Sequence, residues 1–79
     1  MNNELRNQQL AAEIVAYLER NPSASDSVMG VASWWLGPEI QPASPASVKV
    51  ALESLVLDGI LKKVEAPGGE ILYSKNKGH

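Results

Sequence analysis

The chain has 79 residues and contains neither cysteine nor phenylalanine; its single histidine is the terminal His79, and lysine and arginine together number only seven. Without cysteine there are no disulfides, and a structural zinc site of Cys/His type is excluded, so stability must come from packing or self-association. That demand is considerable, because a chain this short makes one domain near the lower limit of what a single core supports. No apolar run approaches the roughly 18 residues of a membrane span, and Met1-Asn2-Asn3-Glu4 lacks a basic-then-apolar leader pattern. These features lead us to expect a cytoplasmic protein with no membrane association.

Positive charge is scarce where nucleic-acid binding would need it. Net charge is −2 and the pI is near 5.2. Residues 1–43 carry two arginines against five carboxylates, and residues 44–79 carry five lysines against four. A domain built to hold DNA concentrates cations on one face, and even the C-terminal half is only weakly basic.

The chain does have clear periodicity and punctuation. Leu10, Ala11, Ile14, Tyr17 and Leu18 fall on one face at helical spacing, predicting a first helix from about Glu4 to Arg20, capped by Asn2 or Asn3 and ended by Asn21-Pro22. Val28, Val31, Ala32, Trp35 and Leu36 predict a second helix, with Ser25 or Asp26 as N-cap and Gly37-Pro38 as terminator. Ile40 is the one sizeable apolar residue in the connection that follows, and it either tucks under the core or forms a brief strand. Ser44-Pro45 opens a third helix whose inward set is Val48, Ala51, Leu52 and Leu55, and Gly59 supplies its left-handed stop.

Ile60 to Glu65 and Glu70 to Ser74 then read as two strands joined by Ala66-Pro67-Gly68-Gly69. Pro67-Gly68 suits the centre of a type II turn, which would put Gly68 at positive φ and make Gly68→Val disruptive and Gly69→Ala milder. Ile60, Leu61 and Ile71 form the expected apolar face of the hairpin. We expect one domain over 1–79, with an ordered core of about 4–75 and a frayed tail over 76–79.

The run from Ser47 to Leu55, followed by Asp58-Gly59-Ile60-Leu61-Lys62-Lys63 and a glycine-containing hairpin ending in Tyr73, resembles the recognition helix and wing of the winged helix-turn-helix superfamily. The resemblance implies an α+β, mostly α domain: three helices and a C-terminal two-stranded wing, with the third helix and wing as the usual nucleic-acid surface. It places the exposed recognition positions on Ala46, Ser47, Lys49, Val50, Glu53 and Ser54. Here the chain departs from DNA-binding members, because Lys49 is the only cation on that helix and no arginine stands at the wing tip.

Two function classes follow. The first is a non-enzymatic regulatory or adaptor module that binds protein, either a second copy or a partner. Its candidate interface is Met29, Trp34, Val50 and Val56, since adjacent Trp34 and Trp35 cannot both enter one small core. Trp35 is the expected core indole; Trp34 is either a second core aromatic or an interface anchor. The alternative is a dimeric duplex-DNA-binding transcriptional regulator, with Ser47 and Lys49 on the third helix and Lys62, Lys63 and Lys75 on phosphates.

Enzymatic readings have little support in the sequence. No Cys/His pair exists, the serines sit where caps and turns explain them, and Glu13 and Glu19 read as a solvated helix face. Gly68-Gly69 lacks the following helix and Lys-Ser/Thr of a phosphate loop. Neither catalytic residues nor a cofactor, metal or small-molecule substrate is expected.

Overall fold

A computed structural model describes residues 3–38, 40, 41 and 43–76. Its elements are helix α1 (Asn3–Arg20), strand β1 (Ser25–Asp26), helix α2 (Val28–Gly30) with a π-helical continuation (Val31–Trp35), helix α3 (Pro45–Leu57), and strands β2 (Leu61–Glu65) and β3 (Ile71–Lys75). The result is a small α+β domain with three helices and a three-stranded antiparallel sheet, about half of it helical. No helix among the described residues is long and apolar enough to cross a membrane.

The helices bury the faces their periodicity defines. Leu10, Ile14 and Leu18 of α1 meet Val48, Ala51, Leu52 and Leu55 of α3, and Val31, Trp35, Leu36 and Ile40 complete the helical part of the core. Ser44 caps α3 by accepting the Ser47 N–H at 3.1 Å, and Pro45 follows where a missing amide proton costs nothing. At the other end Gly59 has φ 80°, and the Ile60 and Gly59 amides return to the Leu55 and Val56 carbonyls. That pair of bonds is a Schellman closure. Ile40 tucks into the core within a turn, its N–H donating to the Gly37 carbonyl at 3.1 Å.

The second helix differs from expectation at both ends. Its N-cap is Ser27, whose hydroxyl accepts the Gly30 N–H, while Ser25 and Asp26 pair with β3 as a strand. After Gly30 the helix widens to π geometry and stops at Trp35, one residue early, because Leu36 is extended. Gly30 leaves room for Asp26 where α2 passes β1: a Cβ there would displace the Asp26 carboxylate.

The sheet order is β1-β3-β2, so the expected two-stranded wing is corrected to three strands. The third strand comprises only two polar residues, held by the Ser25↔Ser74 and Asp26↔Tyr73 pairings. Hairpin register runs from Leu61↔Lys75 to Glu65↔Ile71. Period-2 alternation therefore gives one face Leu61, Lys63, Glu65, Ile71, Tyr73 and Lys75, and the other Lys62, Val64, Leu72 and Ser74. Only Leu61 and Tyr73 are buried; Ile60 and Ile71 are exposed, contrary to the expected apolar face.

The tight turn also departs from type II. Gly69, not Gly68, has positive φ, at 90°, and its N–H donates to the Ala66 carbonyl at 2.8 Å. A turn of this kind, with both central residues at negative φ and a left-handed glycine next, matches the right-handed twist of the strands it joins. Asn76, expected to fray, is tied down by its N–H to the Ile60 carbonyl and its side-chain amide to the Gly59 carbonyl. The expected Asn2 cap and the rest of the tail lie outside the described residues.

Candidate interaction surface

The two adjacent indoles separate completely. Trp35 is 4% exposed and stacks on Tyr17, with ring centroids 4.8 Å apart and planes 12° from parallel. Trp34, the preceding residue of the widened turn, is 74% exposed, and Met29 is 61% exposed on the same short helix. An indole left in water forfeits one of the largest burial contributions available to a small domain. Helical segments widened in this way recur at functional sites.

The other two candidate interface residues have different settings. Val50, 59% exposed, lies on the solvent face of α3 and opens onto a shallow groove between α1 and α3, about 520 Å³ in volume. Neither Met29 nor Trp34 lines that groove. Val56 is partly buried against the core. Its position on the helix, one step round from Leu52, places it at the core margin and not on the solvent face.

The α3 surface carries a further apolar residue that sequence reasoning passed over. Leu57 is 88% exposed, two turns beyond Val50 on the same face. The spacing of seven was the available signal. At the α1 edge of the groove, the Asn7 side-chain oxygen is buried without a hydrogen-bond partner, the only such side-chain atom among the described residues.

The candidate nucleic-acid contacts do not form a single cationic surface. Lys63 is committed to Glu53, with Nζ at 3.0 and 3.2 Å from the two carboxylate oxygens. The Tyr73 hydroxyl donates to the same carboxylate at 2.7 Å. Hydrogen bonding by Tyr73, then by Lys63, holds the Glu53 carboxyl below its ordinary pKa, with Lys49 adding a weaker attraction. Burial, reinforced by the bond to Glu53, pushes the Tyr73 hydroxyl up to about 12. The network fastens α3 to the sheet; nothing in residue spacing marked it, because its members are ten and twenty positions apart.

Lys62 and Lys63 project to opposite sheet faces, so the three sheet lysines are not one row. Ser47 is engaged in the cap, its hydroxyl 3.0 Å from that of Ser44. Lys49 is exposed one turn from Glu53. Phosphate recognition depends on several cations acting together, and here the central one is neutralised. Comparisons with protein-family models, with curated proteins and with solved structures give no match.

Proposed function

We propose that this chain is a winged-helix domain acting as a non-enzymatic regulatory or adaptor module that binds protein. The succession of three helices and a C-terminal hairpin supports the winged-helix reading, and β1 on the hairpin's free side gives the wing a third strand. The observation that carries the function is Trp34, 74% exposed beside a buried Trp35. Large exposed aromatics are over-represented among the residues that dominate interface energies. Duplex binding is the weaker reading, because Lys63 is spent on Glu53 and the remaining sheet lysines are divided between faces.

Trp34→Ala tests the proposal, since truncating an exposed side chain leaves the core intact. The variant is expected to keep its melting temperature while losing capture of a binding partner. Indole fluorescence supplies a direct readout: association should shield Trp34 from an aqueous quencher, against the constant background of Trp35. A folded variant whose associations all match the wild type would refute Trp34 as the anchor.

A further inference from the structure

Strand β2 is an edge of the sheet, with β3 on one side and no strand on the other among the described residues. The Ala66 N–H donates to the Glu70 carbonyl and the Asn76 N–H to the Ile60 carbonyl, so the even-numbered residues of β2 bond inward to β3. The N–H and C=O groups of Leu61, Lys63 and Glu65 therefore face the open edge. Leu61 is 1% exposed, which closes the edge at that end, whereas Lys63, Val64 and Glu65 are exposed. Edge strands are commonly guarded by an inward-pointing charge that an added strand would have to bury. Here that guard is Lys63, and Glu53 already neutralises it.

We infer that β2 pairs antiparallel with β2 of a second copy about a twofold axis at Val64, joining the two three-stranded sheets into one. The strand's own residues select this register. Because only odd-numbered residues offer main-chain groups, the axis must pass through a residue, which is then set against itself. An axis at Leu61 meets buried main chain, and one at Lys62, Lys63 or Glu65 opposes like charges. At Val64 the two valines face each other, and Lys63 of each copy stands opposite Glu65 of the other. Each of these Lys63 to Glu65 pairs exchanges both of its N–H···O bonds and needs nothing from Leu61.

The side chains agree with the main chain. Glu65 has no ion-pair partner within the described residues of one copy. Two of the Lys63 ammonium's donors reach Glu53, which leaves the third for Glu65 of the second copy without displacing that pair. On the other face of the sheet Val64 stands beside Leu72, its partner on β3. Pairing would turn these into an unbroken apolar row, Leu72-Val64-Val64-Leu72, and cover a valine that is 48% exposed in the single chain. The contact is separate from Trp34 and does not depend on it.

Because the chain has no cysteine, Val64→Cys places one thiol per copy at the axis. Opposed residues of a non-hydrogen-bonded pair have Cα atoms about 4.5 Å apart, within disulfide reach. Mild oxidation should link Val64→Cys into a dimer, while Leu57→Cys, at an 88% exposed position on α3, should link far more slowly. Sedimentation equilibrium of the wild type should show a reversible dimer. Glu65→Lys, which sets like charges opposite each other twice, should weaken it about tenfold while keeping the wild-type melt. Amide exchange reads the register: at high concentration the Lys63 and Glu65 amides should slow, while those of Lys62 and Val64 are bonded within the hairpin at every concentration.

A wild type that stays monomeric at every concentration would overturn the inference, as would a dimer whose Lys63 and Glu65 amides exchange freely. Glu65→Lys dimerising normally, or Val64→Cys linking no faster than Leu57→Cys, would also overturn it. Trp34→Ala should dimerise as the wild type does. Loss of the dimer in that variant would move self-association to the Trp34 surface and strike the β2 pairing. An intact β2 dimer beside a Trp34 that captures nothing would leave the pairing standing and defeat the Trp34 interface.

Discussion

Exchanging the glycines of the hairpin turn one at a time isolates backbone conformation from packing. A Cβ at Gly68 meets nothing within 4 Å, and a Cβ at Gly69 approaches only a Glu65 carboxylate oxygen at 4.0 Å. Neither substitution therefore causes a clash, and any difference between them comes from φ. Gly69 sits at φ 90°, where an L-residue is disfavoured by about 1–2 kcal/mol, while Gly68 has no such requirement. For a domain of this size each kcal/mol moves the melting temperature by about 4–8 °C. Gly69→Ala should accordingly lower it by about 4–16 °C. Gly68→Ala should leave it unchanged or raise it slightly, because alanine narrows the unfolded ensemble. Parallel calorimetric melts decide the matter. A stable Gly69→Ala beside a destabilised Gly68→Ala would restore the type II turn and refute the left-handed assignment at Gly69.

Four other outcomes follow from the packing and the network. Trp35→Ala should cost about 3–5 kcal/mol in denaturant unfolding, the range for a buried large aromatic, and an unchanged midpoint would deny that its stack on Tyr17 is part of the core. Gly30→Ala should destabilise by about 1–2 kcal/mol by driving the Asp26 carboxylate off the Ser27 N–H, which it accepts at 2.8 Å. Most of that loss should vanish when Gly30→Ala is measured in an Asp26→Ala background, and strict additivity would disprove the clash. The Glu53 carboxyl titrates below its ordinary 4.5, so its contribution is present above that pH and lost as pH falls through the lowered value. Tyr73→Phe should flatten this acid limb; an identical acid profile in the variant would sever the link. In a Tyr17→Phe background the remaining tyrosine should ionise near pH 12, with the stability it confers present below about 10 and lost as pH rises through 12.

What could be read in advance was what repeats. The α1 and α3 cores follow from apolar spacing, and Ser44-Pro45 and Gly59 mark the ends of α3 by the chemistry of capping. Strand β1 was hidden because two polar residues show no alternation; it exists only because β3 offers a free edge, a tertiary effect. The π geometry of Val31–Trp35 was hidden because apolar spacing over eight residues fits several helical periods. The turn was misplaced by one residue because Gly68-Gly69 offers two candidates for one positive φ, and twist matching with the strands selects the second. Among the candidate site residues, Lys49 and Val50 were placed correctly on the solvent face of α3. The ion pair of Lys63 was hidden because Glu53 is on another element, and the half-burial of Val56 because it stands at the margin between core and surface.

The most direct test of protein binding as the function is sedimentation of the chain with a random DNA duplex at low and moderate salt, alongside the chain alone at rising concentration. Protein binding as the function predicts that the duplex sediments unaltered at both salts, whether or not the chain's own mass rises with concentration. A chain that stays monomeric by itself and moves with the duplex at low salt, releasing it as salt rises, would contradict the account.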